Sequence, residues 1–413
     1  MKILHICAGL PISNQSGIPN YVRNVASNQA SLGHDITVLT SDYDLNNTYN
    51  FKIFFVKSKI KSFSRGRIID KSTLIQISNH LKKENYDIIH IHMLMTIDWR
   101  IYSILKNYNY VVSLHDYWFL CPRITMYWNN KSCECYDEKK CKACISWVEQ
   151  YRITKGFFRF FSKKINGIEK YPYISQNYTQ IRYNNYKKLL EGAKMVLPVS
   201  TRVMDIFKMS NISANYKVCH IGNITADNFK TNYSYKKYGN KINIVFLGRL
   251  TKAKGVDVLL KIAEKIDKTK FEIHFFGDAM EYKNIIDNVG IINHGKYCQV
   301  DLQKILIGMD LGFVLPIWED NGPQVVMEML NNHIPVIGTN IGGIPDFVIS
   351  GVNGYLFNPF NKSGYLYLFE FLNNINIDKI RFMSENIKKP TKTTREHFDE
   401  LLDIYARCTS NNL

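Results

Sequence analysis

The sequence predicts an α/β protein of two domains, each a parallel sheet wrapped by helices, facing each other across a central cleft. Three observations predict it. Short apolar runs alternate with helix-period segments along most of the chain. The runs are continuous rather than polar-alternating, as strands buried on both faces of a parallel sheet must be. The alternation stops at a polar stretch over 225–240 (TADNFKTNYSYKKYGN) and then starts again. A length of 413 residues suits two or three domains, and 46% hydrophobic with 22% charged residues excludes disordered, collagen-like and disulfide-scaffold chains.

The first domain is expected over 1–224. Lys2–Cys7 reads as its first strand. Pro19–Leu32 is a helix, with Val22, Val25 and Ala26 at helical spacing and Gly33 at its C-terminal stop. Asp35–Thr40 and Phe51–Val56 are strands, and Leu74–Lys83 is a helix. Asp87–His92 (DIIHIH) and Tyr110–His115 (YVVSLH) are further strands. A Cys-rich insertion at about 117–175 breaks the rhythm, which resumes with strands Met195–Ser200 and Lys217–Ile221. Residues 225–240 are the linker. The second domain, 241–392, holds strands Ile242–Gly248, Phe271–Gly277, Leu311–Pro316 and Pro335–Asn340. Its helices are expected at Val256–Ile266 and Gln324–Asn332. Over 393–413 a last helix, Arg395–Cys408, puts Phe398, Leu401, Leu402 and Tyr405 on one face and is expected to return to the first domain.

Lys+Arg exceed Asp+Glu by 53 − 36 = 17. That excess favours an anionic partner, whether a phosphorylated small molecule, a membrane surface or a nucleic acid, although a solvated basic surface gives the same sum. No run reaches the length of a spanning helix, and MKILHICAGLP reads as a strand rather than a leader. Nine Cys, an odd number in a chain able to build its own core, suggest a reducing compartment. The expectation is a cytoplasmic protein, peripheral at the inner face of the plasma membrane. Residues 151–171 (YRITKGFFRFFSKKINGIEKY) interleave Phe with Lys and Arg, which suits an anionic bilayer and equally suits a core helix with a basic outer side. No zinc-finger His pair or RNA-binding aromatic motif is present, so nucleic acid is not an expected partner.

Three features of the second half point to an anionic nucleotide. Gly248-Arg249-Leu250 with Lys254-Gly255 places two cations at a strand end and a helix start, where the helix dipole adds to them. Asp320, in Glu319-Asp320-Asn321-Gly322, stands eight residues before Glu328, and two carboxylates directed at one pocket suit a polyol such as ribose or a hexose. Gly342-Gly343 follows a strand, and glycines let backbone amides approach phosphate oxygens. Each alone is also an ordinary surface feature. In the first half, Ser16-Gly17 follows the first strand, and His115 ends another at its carboxyl edge.

In this order and spacing the pieces resemble the retaining glycosyltransferases of family 4, which have the GT-B fold of two Rossmann-like domains. The matching segments are FLGRLTKAKG (Phe246–Gly255), the acidic pair with its E-x7-E spacing, HIPVIGTNIGGIPDFVISGVNGYL (His333–Leu356), SGIPNYVRNVASNQASLGHDITVLT from Ser16, and LHDYWFLCPR from Leu114. The resemblance implies that Arg249 and Lys254 hold the donor diphosphate, Glu328 binds the ribose, Asp320 contacts the transferred sugar, and His115 lies beside that sugar. It implies a donor-binding set that also includes Gly17, Gly248, Glu319, Asn321, Gly322, Gly342 and Gly343. The family's first acid is here Asp320, with Glu319 beside it, and its usual glycine pair is here Ser16-Gly17.

The implied activity is transfer of a sugar from a UDP- or GDP-sugar to an acceptor hydroxyl, with a lipid-linked saccharide as acceptor and cell-surface polysaccharide as product. No cofactor is expected for catalysis, because two fixed cations take the leaving-group charge. Nucleotide-sugar epimerases of the same fold, and a non-catalytic lipid- or nucleic-acid-binding protein, are the alternatives. Cys141 and Cys144 have zinc-knuckle spacing. With Cys121 and Cys133 (or Cys135) they could hold a structural zinc, the other readings being free thiols or labile disulfides.

Overall fold

The computed structural model describes residues 1–10, 17–60, 70–129, 131–145, 178–229 and 241–410. The chain forms two units. One comprises Met1–Val199, Val203–Val218 and Glu400–Leu413; the other comprises Ser200–Arg202 and Cys219–Asp399.

In the first unit, strands β1 (Lys2–Cys7), β2 (Asp35–Thr40), β3 (Lys52–Phe55), β4 (Ile88–Met93) and β5 (Tyr110–Leu114) are followed by a small antiparallel pair. That pair is β6 (Tyr127–Trp128) with β7 (Lys131–Ser132), and β8 (Met195–Pro198) completes the set. The main sheet runs β3-β2-β1-β4-β5-β8, all parallel, so the chain reverses its direction of travel between β1 and β4. β5 is buried throughout, and β1 and β4 nearly so, which explains their unbroken apolar runs. β3 closes one edge with Lys52 and Phe55 exposed, a charged edge that discourages further pairing. The helix Gly17–Ser31 buries Pro19, Val22, Val25, Ala26 and, within that apolar stripe, Gln29.

The second unit repeats the plan with β9 (Ile242–Leu247), β10 (Phe271–Phe276), β11 (Ile291–Asn293), β12 (Leu311–Val314), β13 (Val336–Thr339) and β14 (Gly354–Phe357). The order is β11-β10-β9-β12-β13-β14, all parallel, with the reversal between β9 and β12. The helix Val256–Lys265 buries Val256, Val258, Leu259, Ile262 and Ala263 into the core that holds Phe246, Phe275 and Phe313. Each large apolar side chain buried there contributes roughly 1.5–3 kcal/mol. Gly255 starts this helix in the left-handed region (φ 84°), and a Cβ there would lie 1.7 Å from the Leu315 carbonyl oxygen. Only glycine allows the helix to begin so close to the end of β12, and this sets Lys254 beside the reversal point.

Several expectations shift. The strand expected at Lys217–Ile221 is not one: Tyr216 makes an isolated bridge to Val196, after which the chain leaves the first unit at Val218. The helix expected from Leu74 begins at Lys71, because the Asp70 side chain caps it by accepting from the Ser72 amide. The units change over at 218/219, ahead of the expected limit at 224. Residues beyond that point are held by the second unit, where the Asn223 amide donates to the Lys392 carbonyl (3.0 Å) and Asn331 Nδ2 donates to Thr225 Oγ1 (2.9 Å). β11, β14 and the helices Lys362–Asn374 and Ile377–Glu385 were not foreseen; the two strands are short and lie at the sheet edges.

The last helix, Thr394–Thr409, buries His397, Leu401, Ile404, Tyr405 and Cys408, whereas Phe398 and Leu402 of the expected face are half-buried. From Glu400 onward it belongs to the first unit, where Tyr405 OH bonds His90 Nδ1 at 2.5 Å. No helix among the described residues is long and apolar enough to cross a membrane. Ser16, residues 230–240 of the expected linker, and the aromatic–basic stretch 151–171 lie outside the described residues.

Candidate active site

At the carboxyl ends of β9 and β12 the second unit has a cavity of about 230 Å³. Phe246, Phe313, Val314 and Leu315 make its apolar lining, and Arg249, Lys254, Asp320 and Gln324 supply polar groups. Gly248 and Gly322 also border it. This is the reversal point of the sheet, where diverging connections leave a crevice. Two helices begin here, Val256–Lys265 and Gln324–Asn331, and no side chain caps either. Their first amides and dipoles therefore favour negative charge at this edge. Arg249 is exposed. Lys254 Nζ pairs with Asp320 Oδ2 at 2.7 Å and lies 5.6 Å from the centroid of the Trp318 ring.

The two neighbouring acids have separate partners. Glu319 is buried and gripped by the Arg202 guanidinium, Nε to Oε2 at 3.0 Å and Nη2 to Oε1 at 2.7 Å. The Gly342 amide donates to the same carboxylate at 3.2 Å. Asp320 lines the cavity and Glu319 does not. The Gly342–Gly343 loop also differs from expectation. The Gly342 amide goes to Glu319, and the Gly343 amide donates to the Asp320 carbonyl at 2.7 Å. A Cβ on Gly342, whose φ is 61°, would sit 2.2 Å from that carbonyl oxygen. The glycines thus dock this loop against the acidic loop, and neither borders the cavity. Asn321 is buried, and its Oδ1 has no hydrogen-bond partner among the described residues.

Glu328 departs from the expectation of two carboxylates in one pocket. It lies within the helix Gln324–Asn331, is 8% exposed, and does not line the cavity. Asp320 precedes that helix in a loop, so helical spacing does not bring the two together. Gln299 Nε2 donates to Glu328 Oε1 at 2.9 Å. Burial raises the Glu328 pKa above the usual carboxylate range, with the Gln299 bond opposing it. Arg202, Gln299 and Trp318 join these groups only in the fold. Arg202 and Gln299 come from distant segments, and no local pattern marks them.

In the first unit His115 is buried just beyond β5. Its Nε2 lies 3.1 Å from His92 Nδ1, and the Tyr21 ring stands edge-on with centroids 4.7 Å apart. The next residue, Asp116, accepts from the Trp118 amide at 2.8 Å, and burial raises its pKa to about 6. Gly17 opens the helix Gly17–Ser31 in the open, where a Cβ would meet nothing within 4 Å. Cys121, Cys133, Cys135, Cys141 and Cys144 line one cavity of about 290 Å³. Burial raises the Cys133 thiol to about 11 and the Cys141 thiol to about 12, with neighbouring thiols adding to the effect. Arg123 Nη1 donates to Cys144 Sγ at 3.2 Å. No three of the loop's sulfurs converge to within 4.8 Å.

Glu328 carries a testable cost. Folding raises its pKa, so the unfolded chain releases the proton more readily and ionisation weakens the fold as pH rises through the folded-state value. Glu328→Gln should therefore raise the thermal midpoint at neutral pH. The gain should vanish once pH falls to the ordinary Glu range or below. Thermal unfolding across that window checks it, and a Glu328→Gln midpoint below wild type at neutral pH would contradict it.

A family model described as Glycosyltransferase Family 4 matches residues 15–212, and one described as Glycosyl transferases group 1 matches residues 228–387. An uncharacterized 41.2 kDa protein in the cps region of Klebsiella pneumoniae is 29% identical over 119 residues, 29% of this chain and 33% of that one. The putative teichuronic acid biosynthesis glycosyltransferase TuaC of Bacillus subtilis is 28% identical over 186 residues, 43% of this chain and 45% of that one. These matches span less than half the length of either relative. Anabaena Alr3699/HepE, solved in complex with UDP, is similar with a TM-score of 0.65 at 13% identity, over 98% of this chain and 100% of that one, a likeness of fold. With two successive family models matching its two halves and a similar fold along nearly its whole length, the chain belongs to the family 4 type of GT-B glycosyltransferases.

Proposed function

We propose that this protein is a retaining glycosyltransferase that moves a sugar from a nucleoside-diphosphate donor to an acceptor hydroxyl. The observation that carries it is the cavity at the β9/β12 reversal, with Arg249 and Lys254 beside two uncapped helix starts and Asp320 within reach. Incoming diphosphate oxygens compete with Asp320 for Lys254, and the released carboxylate can accept from a sugar hydroxyl. As the bond from the anomeric carbon to the diphosphate breaks, charge grows on the leaving oxygens beside Arg249, Lys254 and the helix dipoles. The acceptor oxygen attacks the same face, and its proton passes to a leaving phosphate oxygen. The family resemblance gives Glu328 the ribose and His115 the transferred sugar.

Alr3699/HepE was solved with UDP, which supports a uridine nucleotide as the first donor to try. The name of TuaC and the cps location of the Klebsiella relative support a role in cell-surface polysaccharide synthesis; the acceptor of this reading is a lipid-linked saccharide at the cytoplasmic membrane face. The net charge of +17 supports the same placement.

Each charge-assisted bond to phosphate contributes about 1.5–3 kcal/mol. Arg249→Ala should lower sugar transfer at least about tenfold and leave the thermal midpoint nearly unchanged, since the side chain is exposed. Wild-type transfer by that variant would remove the clamp. An epimerised nucleotide sugar as product would remove the transferase reading.

The Cys loop has the donor set of a closed zinc site. Cys121, Cys133, Cys141 and Cys144 would hold the ion, and binding would draw their sulfurs together and hold the loop. Metal analysis of the folded protein should find about one zinc per chain, lost when Cys141 and Cys144 are replaced by Ser. Active protein without zinc would end that assignment. For the membrane, binding to vesicles should rise with anionic lipid content and fall with salt. Indifference to anionic vesicles at low salt would favour a soluble acceptor.

A further inference from the structure

A chain of buried amides ends at the cavity of the second unit. Asn331, at the end of the helix Gln324–Asn331, and Asn223 are each 4% exposed. The Thr391 amide donates to Asn331 Oδ1 at 2.8 Å, and Asn331 Nδ2 donates to Thr225 Oγ1 at 2.9 Å. The Thr225 hydroxyl donates to Asn223 Oδ1, which also accepts from the Thr225 amide at 2.9 Å. Asn223 Nδ2 then donates to Gln324 Oε1 at 2.8 Å. Gln324 borders the cavity at the β9/β12 reversal, together with Arg249, Lys254 and Asp320.

The chemistry of the chain fixes which way each amide faces. A backbone N–H only donates, so the Asn223 atom that meets the Thr225 amide must be its oxygen. The other end of that side chain is then an NH2 group, which also only donates. The Gln324 atom opposite it must be an oxygen, and the Gln324 NH2 group is left for other partners. This orientation follows from the backbone donor and does not depend on telling nitrogen from oxygen by shape. Gln324 Nε2 has no hydrogen-bond partner among the described residues, and it is not enclosed.

The unengaged donors define what they would bind. Arg249, Lys254 and Gln324 Nε2 can only donate. Asp320 is the only carboxylate among the residues that border the cavity, and it already pairs with Lys254. That leaves an excess of donors and of positive charge. A sugar hydroxyl would bring a further donor, whereas a diphosphate brings several charged oxygens that accept.

We propose that Gln324 donates from Nε2 to a phosphate oxygen of the donor's diphosphate, and that Asn223 is the positioning residue that turns the Gln324 amide that way. The diphosphate rests on the transferase reading; the orientation of the amide does not.

Calorimetric binding of UDP and of inorganic pyrophosphate to the full chain tests this. Gln324→Met removes a hydrogen bond to a charged acceptor, so Kd for both probes should rise about tenfold. In Gln324→Glu the side chain still accepts from Asn223, which preserves the fold, and an oxygen replaces the donor. Kd should then rise at least as far. Unchanged UDP binding by folded Gln324→Met would overturn the proposal, because a loss seen in Gln324→Glu alone is repulsion by the new charge. A loss for UDP with none for pyrophosphate would also overturn it, by putting Gln324 on the nucleoside. Asn223→Asp keeps the acceptor for Thr225 and offers Gln324 an acceptor in place of a donor, which turns the amide over. It should weaken UDP about as much as Gln324→Met does, and the double variant should be little weaker than either. Additive losses would remove the positioning role of Asn223. If the wild type turns over a nucleotide sugar while Gln324→Met binds UDP normally, this assignment alone falls. If the wild type binds none of UDP, GDP and pyrophosphate, the nucleoside-diphosphate reading itself fails.

Discussion

A buried carboxylate fixes the second unit's candidate site. Glu319 is held by both arms of the Arg202 guanidinium and by the Gly342 amide. Three donors on one carboxylate join the segment at Arg202, the acidic loop and the glycine loop. The arrangement is stable because each charged oxygen withdrawn from water is matched by a donor at hydrogen-bond distance. Taking Arg202 away would leave a desolvated anion, which is far more costly than the pair is stabilising. The next residue, Asp320, inherits its position from this clamp, since its carbonyl accepts from the Gly343 amide while its side chain turns to the cavity.

The site therefore separates anchoring from contact. Glu319 anchors and Asp320 faces the cavity, although both are acids in one loop. Lys254 remains half exposed and paired with Asp320, so its charge can pass to an anion without first being desolvated. Glu328 occupies the opposite regime. It is buried with one hydrogen-bond donor, Gln299, and burial raises its pKa, so ionisation works against folding there.

The first unit solves a different problem. It buries four histidines and a glutamine where aliphatic side chains would pack more simply. His5, His90 and His92 have both ring nitrogens within hydrogen-bond distance of a partner, so these rings lose water without losing partners. Such a network specifies one arrangement of rings.

Most of the architecture was legible in the sequence, because it rests on local pattern. Continuous apolar runs marked the strands buried on both faces. That Gly248, Arg249, Lys254 and Asp320 border one cavity follows from their places at strand ends and helix starts, which order along the chain reveals. Tertiary structure alone decided the rest. Edge strands β11 and β14 escaped because they are short and only half-buried. The separate settings of Asp320 and Glu328 could not be read from their spacing, since a loop intervenes and Gln299 reaches Glu328 from another segment. Arg202 meets Glu319 across 117 positions, and Gln29, His5, His92 and His115 meet across 24, 87 and 23. Sequence order carries what depends on neighbours along the chain. Hydrogen bonds between groups far apart in it form only once the sheets have set their register.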